Sequence, residues 1–196
     1  LYDTYYHIYN RGINRQDIFI QERNYAHFLG LYIKHVEPVA ETFAYCLLRN
    51  HFHLLVRIKT TEEQMAYARI AQPTPPTDLP GLRDLEGLEV EDPTQQFSNF
   101  FNAYAKSINR AYERTGSLFQ KRFGRIEVAS ARYFARLVHY IHFNPQKHGF
   151  VADFREYPYS SYLTVLSDKP TRLKRDQVLA WFGGRDAFGN AHRLPV

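Results

Sequence analysis

The chain has 196 residues, enough for one well-buried core and too few for two ordinary domains. It carries 25 Lys and Arg against 20 Asp and Glu, and its single cysteine, Cys46, excludes an internal disulfide and a multi-cysteine zinc site. No stretch approaches the length of a membrane span and no signal-peptide succession opens the chain, so a soluble, cytoplasmic protein is expected. Because the first residue is Leu1 rather than Met, a few residues are expected to precede it.

The charge is uneven. Six acids and one base lie between Asp78 and Asp92, which leaves 24 basic against 14 acidic residues elsewhere. A basic folded part with 15 Tyr and 15 Phe points to a polyanion partner with rings available for stacking, although most of those rings are expected to fill core.

In chain order, Thr4 to Asn10 has the β-branched and aromatic content of a strand that Arg11-Gly12 ends. Tyr25, Phe28, Leu29, Tyr32 and Val36 repeat at helical spacing over Glu22 to Val36, and Pro38 closes that helix. Glu41 to Leu48 and His51 to Ile58 are strand-like runs joined by Arg49-Asn50, which predicts a hairpin. Thr61 to Ile70 is weakly helical. Residues 72–93 form a proline-punctuated acidic segment without a period, expected to be a flexible insertion. A second amphipathic helix is predicted from Thr94 to about Arg114, then a turn and a strand over Ser117 to Val128. A third helix fits Ala131 to Asn144, with Phe134, Val138 and Ile141 as its core stripe and Pro145 past its end. Shorter pieces follow, including Tyr157 to Tyr162 and a helix from Asp176 to Trp181.

The order β-α-β-β-α-β plus a helix predicts an α+β fold. The plan is the ferredoxin-like split βαβ, an antiparallel sheet with helices packed on one face, plus a C-terminal helical extension. Residues 1–150 are expected to form the main domain, with 151–196 as an extension of the same domain.

Within the hairpin, His51 and His53 alternate with Phe52, Leu54 and Val56, so the two imidazoles share one face of the strand. Such a pair wants a third metal ligand. On the last helix Tyr140 and Asn144 lie one turn apart, at the flank of the apolar stripe. Two imidazoles and an amide oxygen make a mixed site with open positions, suited to Mg²⁺ or Mn²⁺, with zinc less favoured without thiolate. A phenol one turn away is a candidate nucleophile. Tyr133, two turns earlier on the same flank, is its rival, and His139 and His142 are expected to point away, into solvent. Arg11, Lys121, Arg122 and Arg125 are candidate phosphate contacts, with an ordinary charged surface as the alternative for each.

His-hydrophobic-His on a strand, followed by Tyr-x-x-x-Asn running into Pro, resembles the HUH-type single-tyrosine transposases, specifically the REP-associated tyrosine transposase group of the insertion-sequence superfamily. Tyr5 to Gly12 (YYHIYNRG), Asn50 to His53 (NHFH), Gly116 to Phe123 (GSLFQKRF), Tyr140 to Pro145 (YIHFNP) and Tyr157 to Tyr162 (YPYSSY) resemble its successive blocks, in order. The resemblance implies a metal-dependent single-strand DNA nickase and strand transferase acting on single-stranded or hairpin DNA, nucleoid-associated when bound. It assigns His51, His53 and Asn144 to the metal and Tyr140 to the nucleophile. It covers Tyr5 to Tyr162, and the acidic insertion is longer than the connection the family usually has there.

Phosphodiester cleavage needs a cation on the non-bridging oxygens and an in-line attacker. Attack by Tyr140 leaves a 3′-OH and a covalent 5′-phosphotyrosine, which a second 3′-OH can reverse to join strands. The sequence names no base for the phenol, and leaves open whether the site assembles in a monomer or across a homodimer. A domesticated nucleic-acid-binding protein without catalysis, and a metal-dependent hydrolase without a covalent intermediate, are the alternatives.

Overall fold

The computed structural model describes residues 1–71 and 90–193. Residues 72–89 of the predicted acidic insertion lie outside the described residues, and Asp92 and Pro93 open a helix. The strands are β1 (Tyr5–Arg11), β2 (Ala40–Leu48), β3 (His51–Ile58) and β4 (Gly124–Glu127). The helices are α1 (Arg23–His35), α2 (Thr61–Ala71), α3 (Pro93–Ala111), α4 (Ala131–Lys147), α5 (Tyr162–Leu166), α6 (Arg175–Phe182) and α7 (Arg185–Ala191).

All pairings in the four-stranded sheet are antiparallel, in the order β2-β3-β1-β4. This is the strand order of the ferredoxin-like split βαβ plan. The helices, expected on one face, instead divide between two. Tyr6 and Ile8 of β1 and Phe52, Leu54 and Val56 of β3 form one core with Phe28 of α1 and Phe100, Phe101 and Tyr104 of α3. Phe43, Ala44, Cys46 and Leu48 of β2 and Leu55 of β3 meet Phe134, Leu137, Val138 and Ile141 of α4 on the other face. The physical reason is in β2 and β3, which bury apolar residues on both of their faces. A strand apolar on both sides needs cover on both. Removing each such side chain from water contributes about 1.5–3 kcal/mol. The C-terminal helices thicken the second layer through Tyr162, Val165, Val178 and Phe188.

The face that carries His51 and His53 is therefore the α4 face. In the register, Arg11 stands opposite His51, Tyr9 opposite His53 and His7 opposite Leu55, so His7, Tyr9 and Arg11 share that face with the histidines. Gly124 of β4 pairs with Tyr9, and a Cβ there would stand 2.1 Å from the Tyr9 ring, so glycine leaves the room that ring occupies.

Helix α4 begins at Ser130, whose hydroxyl accepts the Tyr133 N–H. It does not stop at Asn144. The helix runs through Pro145 to Lys147, with His148 as C-cap and Gly149 at φ +72°. Proline forfeits its own donation to the carbonyl of Ile141 and crowds that carbonyl, a cost this helix carries with Pro145 buried in its last turn. The N–H groups of His148 and Phe150 close the end on the carbonyls of Asn144 and Pro145, and the left-handed glycine supplies the stop.

Candidate active site

His51 is buried, and its Nδ1 lies 2.6 Å from Oδ1 of Asn50. An amide oxygen can only accept, so His51 carries its proton on Nδ1 and presents a bare Nε2. That Nε2 is buried and has no hydrogen-bond partner. Burial first, then Arg11 and His148, holds the imidazolium form down, with a pKa of about 3. His53 is driven the same way, first by burial and then by His7 and His51. Both rings are neutral at physiological pH, the state in which imidazole is a ligand.

Helix α4 supplies the facing side. Tyr140, Asn144 and His148 follow one another at intervals of four residues and so lie along one stripe. The Tyr140 ring is 5.6 Å from the His53 ring, and the His148 ring is 4.9 Å from the His51 ring, centroid to centroid. Asn144, one turn from each along that stripe, is fully buried. Its Nδ2 donates to the carbonyl of Tyr140 at 2.7 Å, which fixes the amide orientation and leaves Oδ1 buried without a donor. Two of the buried unpartnered polar atoms among the described residues thus fall on predicted ligands, His51 and Asn144.

No group of three or more His, Cys, Asp or Glu side chains among the described residues has the geometry of a metal site. The set here is two imidazoles and an amide, so it relies on Asn144 for its third donor. With neutral nitrogen and oxygen donors and no thiolate, it fits a hard or borderline divalent ion with room for water or phosphate oxygens.

Arg11, Gln120, Arg122, Lys147 and His148 line a cleft of about 340 Å³ together with His51, His53 and Tyr140. The loop before β4 is tethered there by Gln120 N–H to the Arg11 carbonyl and Ile13 N–H to the Leu118 carbonyl. Arg122 adopts φ +76°, a left-handed conformation uncommon for a side-chain-bearing residue. The Lys147 ammonium lies 5.0 Å from the centre of the Tyr140 ring. None of Arg11, Arg122 or Lys147 forms an ion pair among the described residues, whereas Arg57, further along the same face of β3, is held by Asp3, Glu41 and Glu63. Unpaired cations around a cleft suit a phosphate chain.

The other predicted contacts separate. Lys121 lines the adjoining groove with Asn102 and Phe123. Arg125 pairs across from Ile8 and lies over the Tyr6 ring, on the α3 face of the sheet and away from the site. Alternation along β4 put it there once the register was set. Tyr133 lines a second cleft with His7, Arg136 and Tyr140. His142, expected in solvent, is fully buried and bonds His192 and Ser161. The C-terminal helices, which the sequence left unassigned to either face, cover that side of α4.

Sequence reasoning missed His7, Asn50, Lys147 and His148. His7 Nε2 is 2.9 Å from His53 Nδ1. Strand periodicity could have placed His7 on the Tyr9 and Arg11 face, but only the register puts that face beside His53. Asn50 precedes the histidines directly, in a position that the hairpin pattern reads as turn only. Lys147 and His148 lie past Pro145, where the sequence pattern ends the helix.

No family model matches the chain. Among curated proteins it is similar to a putative REP-associated tyrosine transposase of Haemophilus influenzae, 29% identical over 122 residues. That match covers 62% of this chain and spans 58% of the relative's length. Among solved structures it is similar to a REP-associated tyrosine transposase bound to a REP hairpin, with a TM-score of 0.60, 15% identity, and coverage of 87% of this chain and 84% of that one. The structural likeness agrees with the α+β sheet described above, and the sequence likeness with the resemblance drawn from the motifs.

Proposed function

We propose that this chain is a single-strand DNA endonuclease and strand transferase of the REP-associated tyrosine transposase kind, acting on hairpin-bearing DNA with Tyr140 as nucleophile. The observation that carries the proposal is the meeting, within one chain, of Tyr140 with His53, on a strand and a helix that each also carry a buried donor atom without a partner, His51 Nε2 and Asn144 Oδ1. The relatives' names, one of them bound to a REP hairpin, support the choice of substrate.

His51, His53 and Asn144 would hold Mg²⁺ or Mn²⁺, which when bound neutralises charge on the non-bridging oxygens of the scissile phosphate. Arg11, Arg122 and Lys147 take the flanking phosphates and orient the strand along the cleft. Tyr140 Oη attacks phosphorus in line. Its O–P bond forms as the bond to the 3′ oxygen breaks, the phenolic proton passes to solvent, and the departing oxygen takes a proton to become a 3′-OH. The phosphodiester energy stays in the 5′-phosphotyrosine. A second 3′-OH attacks that ester, releases Tyr140 and restores a phosphodiester, so strands join without a nucleoside triphosphate. Because Tyr140 and the histidines share one chain, a monomer suffices for this geometry.

Labelled single-stranded hairpin DNA incubated with the protein and Mn²⁺ is expected to give a covalent adduct that Tyr140→Phe abolishes, with cleavage falling at least about 10³-fold. Cleavage that survives this change indicates hydrolysis without a covalent intermediate, and tight binding without cleavage indicates a non-catalytic nucleic-acid-binding protein. Either result overturns the proposal.

A further inference from the structure

The first strand contributes a buried histidine that the reaction above does not use. His7 and His53 are 5% and 7% exposed, and their nearest nitrogens are 2.9 Å apart. Two neutral imidazoles at that distance share one proton, and the atom that carries it decides what His53 can do. If Nδ1 of His53 is the donor, its Nε2 is bare. If Nε2 of His7 is the donor, His53 must keep its own proton on Nε2, where it blocks a ligand bond.

We propose that His7 is a positioning residue, whose Nε2 accepts the Nδ1–H of His53 and so holds His53 in the tautomer that leaves Nε2 free for a divalent cation. The inference rests on the metal site proposed above. His51 provides the parallel within the same site: its Nδ1–H donates to Asn50, and its Nε2 is the bare atom. With His7 accepting from His53, both histidines of the pair are anchored through Nδ1 and both present Nε2.

The strand geometry makes the contact fixed. His7 and His53 are diagonal neighbours across the β1 and β3 pairing, Tyr9 standing opposite His53. Their rings lie 28° from parallel at 5.1 Å, and the Tyr9 ring packs against His7 at 4.9 Å, in the space that Gly124 leaves open. His7 also lines the second cleft beside Tyr140, where water can take its remaining Nδ1–H. A neutral acceptor has a further consequence. A carboxylate in this place would bring negative charge beside a site built for phosphate, whereas imidazole orients the ligand and leaves the cation's charge for the substrate.

The test reads tautomers directly, by long-range ¹H–¹⁵N correlation on ¹⁵N-labelled protein free of metal and DNA, with Mn²⁺ titration calorimetry alongside. His53 is expected to show a protonated Nδ1 and bare Nε2 in the wild type. In His7→Phe the proton is expected to move to Nε2 and Mn²⁺ affinity to fall about 10–100-fold. In His7→Gln, whose Oε1 can still accept, the native tautomer and most of the affinity are expected to return. A purely structural role for His7 would not predict rescue by Gln. The inference is overturned if wild-type His53 carries its proton on Nε2, or if both variants keep the native tautomer and bind Mn²⁺ within about twofold of wild type. Should His7→Phe fail to fold, the wild-type tautomer and His7→Gln still decide. These readouts need no DNA cleavage, so failure of the adduct assay and failure of this inference are separate results.

Discussion

Asn144 carries an unusual burden for a buried amide. Its Nδ2 is committed to the carbonyl of Tyr140, while its Oδ1 is buried with nothing to accept. A buried acceptor without a donor is a cost to the metal-free protein. Replacing it with leucine is therefore expected to leave metal-free stability within about 1 kcal/mol of wild type, because the lost hydrogen bond and the relieved desolvation offset each other. The metal response is where the difference should lie. Mn²⁺ at about 100 times its dissociation constant stabilises a one-site protein by about 2.7 kcal/mol, and Asn144→Leu is expected to lose most of that gain. Denaturant melts with and without Mn²⁺ check both statements, and equal metal stabilisation of the two proteins would remove Asn144 from the site. Gly124 makes a second residue-level case. A methyl group 2.1 Å from the Tyr9 ring forces that ring off its place beside His7 and His53, so Gly124→Ala is expected to cost about 1–3 kcal/mol in the same melts.

On α4, Tyr140, Asn144 and the C-cap His148 follow one another at intervals of four residues beside the apolar stripe of Phe134, Val138 and Ile141, which brings the phenol to His53 and an imidazole to His51. The last turn of α4 depends on Gly149 at φ +72°. Gly149→Ala is expected to lower stability by about 1 kcal/mol, and to weaken DNA binding more than Tyr140→Phe does, because it disturbs Lys147 and His148 at the mouth of the cleft. A filter-binding series on uncleaved hairpin DNA compares the two. That His51 and His53 share a strand face, and that Tyr140 and Asn144 lie one turn apart on one helix, is legible in the sequence because strand alternation and the helical turn are local periodicities. The bounds of β3 and the start of α4 follow from the same periodicities. What was not legible depended on distant partners. The sheet's second helical layer, the burial of His142 beneath α7, the diagonal contact of His7 and the exile of Arg125 to the opposite face all follow from strand register and packing. Pro145 misled for a different reason: one missing N–H does not end a helix whose following carbonyls are satisfied and whose apolar face is buried.

At the scale of the molecule, the sheet is loaded on both faces, and the α4 face carries His7, His51 and His53. The layer behind α4 is closed by a chain of buried hydrogen bonds. His192 Nδ1–H donates to the Phe188 carbonyl, His142 Nδ1–H to His192 Nε2, the Ser161 hydroxyl to His142 Nε2, and the Tyr45 N–H to the Ser161 oxygen. Every proton in this chain is placed with both imidazoles neutral. Burial pushes His192 down to about 4, and drives His142 well below its ordinary value, with His192 and His139 adding to the effect. The unfolded chain, titrating near 6.5, therefore binds more protons than the folded one between about pH 6.5 and 4. Stability is expected to be full above that window and to fall through it on acidification, by up to about 1.4 kcal/mol per pH unit for each imidazole. Thermal melts across pH 4 to 8 check this, and a melting temperature that stays flat down to pH 4.5 would contradict it.

The whole account stands on where the DNA becomes attached. The most direct measurement is peptide mass spectrometry of the protein after reaction with a single-stranded hairpin substrate and Mn²⁺. The account predicts a deoxynucleotide phosphate on Tyr140, in the stretch of α4 between Leu137 and Lys147. Attachment at Tyr133, or cleaved DNA with no modified peptide, would contradict it.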